Sequence, residues 1–204
     1  MRIAMIVLND MLADARVDRE ASALAACGYE VIVLALRSPR SQGSETRNGY
    51  TIRRVANYTT ASWSRLPTKL SELKQRTSEL VDAAVALAPD VVHAHDTDTL
   101  VGAASVAARC DAKLVYDAHE LYPDMAGPSG LGRPIPVKAY WRIVERARVP
   151  RADAVVTVGD GLANVLRRRY GVEPVVVRNV PPLRPATRSS RLRNELSIAP
   201  ERVV

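Results

Sequence analysis

The sequence predicts a doubly wound α/β fold with a mostly parallel, seven-stranded sheet. Short apolar runs alternate with amphipathic helical stretches along most of the chain, an order typical of a parallel sheet covered by helices. Several of these runs, such as residues 2–8, are apolar throughout, as expected for strands that are buried on both faces. With 204 residues, of which 47% are hydrophobic, the chain is long enough to bury a full core.

The first strand–helix–strand unit is the clearest part of this pattern. Asp14 is suited to cap the first helix, Gly28 to end it, and the second strand then covers Glu30–Leu36. Such βαβ crossovers are almost always right-handed. The segment Arg37–Asn48, rich in Ser, Arg, Gly and Pro, predicts a loop. The remaining strands are predicted at residues 50–55, 90–94, 112–116, 154–158 and 173–177, and the remaining helices at residues 66–87, 97–109, about 138–147 and 161–170.

The amino-acid composition of the chain changes near its C-terminal end. Val180–Pro185 contains three prolines, which remove backbone donors and favour an extended path. Residues 190–196 are compatible with two helical turns, and Arg202–Val204 resembles the beginning of another buried strand. We therefore expect residues 1–180 to form one α/β domain, and residues 181–204 to be an interdomain linker and the truncated start of a second domain.

Composition indicates the cellular setting. The two cysteines, Cys27 and Cys110, are far apart, so no disulfide framework is expected and a reduced compartment fits better. The first apolar run is too short for a signal peptide, and no stretch approaches the ~20 apolar residues that span a bilayer. A net charge of +7 allows an acidic partner, although an arginine- and alanine-rich composition explains it equally well. We expect a cytoplasmic protein, either free or peripheral on the inner face of the cell membrane.

A basic segment, residues 133–151, is the candidate for contact with an anionic membrane surface. Each basic side chain near such a surface contributes on the order of 1 kcal/mol, and Tyr140 and Trp141 lie among the charges. The alternative is a helix that packs on the sheet and simply exposes its polar face. The basic residues, opposed by Glu145 alone, are Arg133, Lys138, Arg142, Arg146, Arg148 and Arg151.

All three histidines lie where predicted strands end. His93 and His95 are in the run Pro89–Asp96, and His119 follows the strand that opens the run Val115–Asp124. If these two strands are neighbours in a parallel sheet, their carboxyl ends share one crevice, where open α/β sheets bind ligands. The candidate site residues at this crevice are His95, Asp96, Asp117, His119 and Glu120.

The same histidines raise the alternative of a metallohydrolase. His93 and His95 are two apart on a strand, so both rings face one side, and with His119 they could hold a metal ion. Asp96-Thr97-Asp98 resembles an Asp-x-Asp metal motif, but Asp96 lies where a helix starts, which favours an N-cap. His93 is more simply interpreted as a core residue. We therefore expect no metal.

Other chemistries lack their sequence signals. Residues 9–14 follow the first strand without the glycines that let a backbone approach the pyrophosphate of NAD. The chain has no Walker-type Gly-Lys-Ser/Thr motif and no nucleophile elbow. Basic and aromatic residues are not interleaved as in nucleic-acid modules. We expect no cofactor and no nucleic-acid partner, and a basic binding module is left as the non-enzyme alternative.

Several motifs, taken together, point to a known family. They are Asp14-Ala15-Arg16-Val17 with Arg19-Glu20, Gly28-Tyr29-Glu30-Val31, Pro89–Asp96, Val115–Leu121, Ala152–Val158 and Asn179. In this order they resemble the N-terminal Rossmann-like domain of GT-B glycosyltransferases, specifically the retaining enzymes of family 4, also called group 1. The resemblance covers nearly the whole chain. The chain departs from many members in lacking a glycine pair after the first strand.

The resemblance implies a function. It implies two facing Rossmann-like domains that transfer a sugar, with retention and without a metal, from a nucleotide-sugar to a glycan, lipid-linked or small-molecule acceptor. Most of the donor site would lie in the C-terminal domain, so this chain alone is expected to be inactive. His119 matches the family histidine near the transferred sugar and takes the catalytic role, whereas Arg16 and Arg19 would meet an acceptor phosphate. The other residues implied to bind substrate are His95, Asp96, Asp117 and Glu120. A GT-B-fold sugar epimerase or phosphorylase is the alternative.

Overall fold

The protein is described by a computed structural model that covers residues 1–57, 66–125, 134–180, 191–199 and 202, without the side chains of residues 66–74 and 192. Within these residues the strands are β1 (Arg2–Ile6), β2 (Glu30–Arg37), β3 (Ser44–Arg47), β4 (Tyr50–Asn57), β5 (Val91–His95), β6 (Lys113–Ala118), β7 (Ala154–Thr157) and β8 (Val175–Val176). The helices are α1 (Ala15–Ala26), α2 (Leu66–Ala86), α3 (Thr97–Cys110), α4 (Ile135–Arg148), α5 (Asp160–Tyr170) and α6 (Arg191–Glu195).

The strands form one sheet in the order β3-β4-β2-β1-β5-β6-β7-β8. All neighbouring pairs are parallel except β3 and β4, which are antiparallel. The predicted doubly wound, mostly parallel sheet is therefore confirmed, and each of the seven predicted strands is present.

The strand β3 corrects the sequence prediction, which assigned Arg37–Asn48 to a loop. Asn48 and Gly49 both have positive φ, 48° and 86°, and they turn the chain from β3 into β4. An Asn-Gly pair is the residue combination that a tight two-residue hairpin favours. The side chains of β3 show no apolar pattern, and Glu45 of this edge strand instead forms an ion pair with the buried Arg54 of β4, so periodicity alone misses the strand.

Helices cover both faces of the sheet. On one face, Met5 of β1 packs with Val17 and Ala21 of α1. On the other face, Ile6 of the same strand belongs to a larger core that contains Leu100 of α3. Successive residues of β1 thus face opposite helical layers, which explains why the strand is apolar throughout.

The order of the strands creates a crevice near the centre of the sheet. From β1 the chain builds outward through β2 and β4, and from β5 it builds the other way through β6, β7 and β8. The connections at β1 and β5 leave the sheet on opposite sides, so a gap opens at their carboxyl ends, as in other doubly wound sheets. This gap places the residues that follow β1, β5 and β6 around one site.

The other predictions for the chain have mixed outcomes. The helix α6 lies inside the segment predicted to be helical, whereas residues 181–190 and 203–204, which include most of the predicted linker and final strand, lie outside the described residues. In the described part of the chain, no helix is both long and apolar enough to cross a membrane.

The basic segment around α4 is partly neutralised. Lys138 and Arg142 both form ion pairs with Asp124, so they are less available to an outside partner than their number suggests. Arg133 lies outside the described residues. Contact of this segment with an anionic membrane therefore stays a prediction.

Candidate active site

Three histidines gather at the central crevice. His95 of β5 lies beside Asp117 of β6 in the sheet register, which confirms that the two polar strand ends are neighbours. The rings of His93 and His95 stack with centroids 4.3 Å apart, and the rings of His95 and His119 lie 5.6 Å apart. His93 and His95 therefore share one face of β5, as their spacing predicts, and this face is covered by α1.

Asp117 and His119 form a buried ion pair. Nε2 of His119 lies 2.6 Å from Oδ2 of Asp117, and the two side chains are only 2% and 1% exposed. Burial alone would raise the pKa of the Asp117 carboxyl, but contacts with His119 and His95 outweigh it and lower that pKa. Burial would likewise lower the pKa of His119, yet Asp117 and Asp96 raise it to about 10. At neutral pH the pair is an imidazolium and a carboxylate.

The other nitrogen of His119 contacts Asp96. Its Nδ1 lies 3.3 Å from Oδ2 of Asp96, whose side chain is 20% exposed. This contact is longer than the one to Asp117 and lies nearer the surface. His119 itself is buried, and its link to the crevice runs through Asp96, which lines a cavity there.

Asp96 corrects a sequence prediction. It occupies the N-cap position of α3, but its side chain makes no capping hydrogen bond. Its φ of 64° and ψ of 165° fall in a region that non-glycine residues rarely adopt, at a cost of about 1–3 kcal/mol. This backbone conformation turns the carboxylate toward His119 rather than toward the helix. Asp14, in contrast, caps α1 as predicted, because its Oδ1 accepts from the backbone N–H groups of Arg16 and Val17.

Glu20 is a member of the cluster that the sequence analysis did not select. Its Oε2 lies 3.9 Å from Nδ1 of His95 and 4.0 Å from Nε2 of His93. Burial, followed by the negative charge of Asp117, raises the pKa of Glu20 to about 7. The sequence did contain a signal for Glu20, namely its position on α1. Residue 20 lies three residues after Val17 and one before Ala21, so it is on the helix face that packs on the sheet.

The cluster also has the residue types of a cation site. Oε2 of Glu20, Nε2 of His93, Nδ1 of His95 and Oδ2 of Asp117 lie within 4.8 Å of one another. None of these atoms has a hydrogen-bond partner in the described part of the chain. However, the His119 imidazolium already contacts Asp117, and a divalent ion ~4 Å from it at a dielectric constant of ~20 would be repelled by about 8 kcal/mol. A positive charge on His119 therefore opposes a cation at this cluster.

Two adjoining cavities extend the crevice along the sheet edge. The smaller, about 120 Å³, includes His95, Asp96 and Asp98 in its lining. The larger, about 410 Å³, lies at the start of α1, and its lining includes Arg16, Arg19 and Asn179. Asn9 and Asp14 line both cavities, so the cavity at His95 adjoins the one at the arginines.

The predicted site residues separate into three groups. His95, Asp96, Asp117 and His119 come together in one cluster. Arg16 and Arg19 line the adjoining cavity. Glu120 is exposed and lines neither cavity, so the structure does not bring it to the cluster.

Comparison with solved structures shows that this fold is the Rossmann-like half of the GT-B fold. Sucrose-phosphate synthase from Thermosynechococcus elongatus superposes with a TM-score of 0.74 at 15% identity, over 98% of this chain and 53% of that one. Anabaena HepE, solved with UDP-glucose, gives a TM-score of 0.58 at 15% identity, over 98% and 50%. Arabidopsis thaliana UGT89C1, solved with UDP-L-rhamnose, gives 0.60 at 12% identity, over 98% and 56%. The chain spans about half the length of these proteins.

The family assignment follows from the sequence itself. The model of Glycosyltransferase Family 4 matches residues 14–182, which is most of the chain. The chain therefore belongs to Glycosyltransferase Family 4. A search of curated proteins gave no match.

Proposed function

We propose that this chain is the acceptor-binding half of a retaining, metal-independent transferase that uses a nucleotide-sugar donor. The observation that carries the proposal is the buried His119–Asp117 ion pair, whose Nδ1 contacts Asp96 in the lining of the central crevice. Family membership supports sugar transfer as the chemistry. The UDP-glucose bound to HepE and the UDP-L-rhamnose bound to UGT89C1 support a nucleotide-sugar as donor.

His119 supplies a fixed positive charge to the reaction. When a sugar leaves its nucleotide, negative charge grows on the departing phosphate oxygens, and a preorganised donor near that charge stabilises the transition state. Asp117 holds the ring through Nε2, so Nδ1–H can donate to a sugar hydroxyl or to the departing phosphate. Because His119 is cationic, this part of the site provides by itself the positive charge that a metal ion would otherwise contribute. Asp96, released from Nδ1, can accept a hydrogen bond from a hydroxyl.

The cavity at the start of α1 is suited to the acceptor. Arg16 and Arg19 give it positive charge, and a guanidinium binds phosphate through paired hydrogen bonds. Asp14 leaves part of that charge free, because its contact with Arg16 is 3.5 Å long. A phosphate-bearing or lipid-linked acceptor therefore fits this cavity. Ile135 and Ile143 of α4, 83% and 67% exposed, support placing such an acceptor at the cytoplasmic membrane face.

The test is transfer by the full-length protein. We expect it to consume a UDP- or GDP-sugar only when a hydroxyl-bearing acceptor is present, and to form a product with the anomeric configuration of the donor, as read by NMR. Residues 1–204 alone are expected to show no turnover. Donor consumption without an acceptor would favour an epimerase, and dependence on inorganic phosphate a phosphorylase. Turnover by the isolated chain would contradict the assignment of the donor site to another domain.

A further inference from the structure

Glu145 of α4 is a buried carboxyl that the transfer chemistry does not use. It contacts Tyr116, which precedes Asp117 on β6, and successive strand residues face opposite sides of a sheet, so Glu145 lies on the far side from the histidines. We propose that Glu145 is a positioning residue, which holds Thr97 at the start of α3 and thereby fixes the carboxylate of Asp96 at the crevice. The inference rests on the proposed function, which places the substrates in that crevice.

Three hydroxyl groups converge on the carboxyl of Glu145. Its Oε1 accepts a hydrogen bond of 2.8 Å from Oγ1 of Thr97 and one of 3.4 Å from the hydroxyl of Tyr116. Its Oε2 accepts a hydrogen bond of 2.5 Å from the hydroxyl of Tyr170 on α5. The hydroxyls of Thr97 and Tyr116 also lie 2.8 Å apart, within hydrogen-bond distance of each other. A residue that is only 2% exposed needs such partners, and through them Glu145 ties α3, α5 and β6 to α4.

Thr97 transmits this anchor to Asp96, its neighbour in the chain. The φ of 64° and ψ of 165° at Asp96 are strained, and such a backbone persists only where the surrounding structure enforces it. The backbone N–H of Asp96 donates to the carbonyl of Asp117, and Oγ1 of Thr99 donates to the carbonyl of Asp96. The hydrogen bond from Thr97 to Glu145 adds a side-chain anchor directly after Asp96. These contacts together enforce the strained backbone.

The backbone of Asp96 decides where its carboxylate lies. The side chain makes no capping bond with α3, and instead its Oδ2 lies 3.3 Å from Nδ1 of His119. Asp96 also lines the cavity of about 120 Å³. Without the anchor at Thr97, the backbone can relax to an ordinary N-cap conformation, in which the carboxylate accepts from the first N–H groups of α3 and leaves His119. Glu145 thus acts on the site from the other face of the sheet, without touching a substrate.

Histidine NMR of two Thr97 variants tests this link without any substrate. Thr97→Val keeps the shape of the side chain but removes its hydroxyl, whereas Thr97→Ser keeps the hydroxyl. In the full-length protein labelled with ¹⁵N-histidine, the signals of His119 are assigned from their loss in His119→Gln. We expect the Nδ1 signal of His119 to shift in Thr97→Val, because Asp96 moves away from it, and to stay in place in Thr97→Ser. Glu145→Met, which removes the acceptor at similar length, should give the same shift and serves if the valine variant does not fold.

Tyr170→Phe is the matched control, because it removes another hydrogen bond to Glu145 and leaves Thr97 and Asp96 in place. It should lower stability to urea, as Thr97→Val does, but leave the His119 signal and kcat/KM unchanged. In Thr97→Val, kcat/KM for the nucleotide-sugar should fall by up to about 100-fold, the loss that a misplacement of about 1 Å causes, and recover in Thr97→Ser. An unchanged His119 signal in Thr97→Val, or the same shift in Tyr170→Phe, overturns the proposal. If the shifts are as expected but no nucleotide-sugar is used, the proposed function fails and the positioning role stands.

Discussion

Replacement of His119 by alanine in the full-length protein is expected to lower kcat by about 100- to 1000-fold, the range found when one preorganised donor to a developing anion is removed. The loss should appear in kcat more than in KM, because Nδ1–H strengthens its hydrogen bond as charge grows on the leaving oxygen. The measurement is steady-state transfer from the nucleotide-sugar, at a pH where the wild-type protein is fully active.

Two controls show whether a loss of turnover in His119→Ala is caused by the missing imidazole. The domain should stay folded, which circular dichroism checks, and His93→Gln should retain far more activity, because His93 lies behind the cluster and its pKa of about 3 keeps it neutral. Burial is the main cause of that low pKa, since it disfavours the charged ring. Near-normal turnover in a folded His119→Ala protein would refute the catalytic role.

Replacement of Asp117 by asparagine is expected to have the largest effect on stability. In the folded protein the pKa of His119 is raised to about 10 from its ordinary 6.5, which corresponds to at most about 5 kcal/mol of pairing free energy. The variant leaves the buried histidine with the more distant Asp96 in place of Asp117, so it should lose a few kcal/mol of unfolding free energy at pH 6–7. Urea denaturation at a series of pH values measures the loss.

The stability difference between the wild type and Asp117→Asn should change with pH in a definite direction. Between pH ~4 and ~6.5, His119 is protonated in both the folded and the unfolded chain and Asp117 is ionised in both, so the ion pair contributes fully. Between pH ~6.5 and ~10 the unfolded chain releases the proton and the folded chain keeps it, so the contribution falls as the pH rises. The difference between wild type and Asp117→Asn should therefore shrink over this range. Asp160→Asn, which removes an exposed surface partner of Arg178, is the matched control and should change stability little.

The parts of the fold that sequence reasoning recovered are those that depend on local pattern. Buried parallel strands are apolar throughout, and the Asp14 cap precedes its helix directly, so both are visible along the chain. The edge strand β3 was missed because its side chains carry no pattern, although the Asn48-Gly49 turn was a usable signal.

The clustering of polar residues at the ends of β5 and β6 was predicted, but the contacts within the cluster were not. The polar ends of β5 and β6 marked the crevice, because parallel strands bring their carboxyl ends to one edge. The positive φ of Asp96 depends on packing between elements and has no local signature, so a capping bond was predicted where an ion contact exists. Glu20 escaped notice because it reaches the cluster from α1, which is remote in sequence from both strands.

The central claim is that Nδ1 of His119 meets the donor at the crevice while Asp117 holds Nε2. The most direct test is the ¹⁵N spectrum of His119 in the full-length protein as a nucleotide-sugar is added at pH 7. A shift of the Nδ1 signal, with Nε2 unchanged and the ring still protonated, is the predicted result, because a ligand oxygen replaces Asp96. A donor that binds with no change at His119, or one that removes the proton from its ring, would contradict the claim.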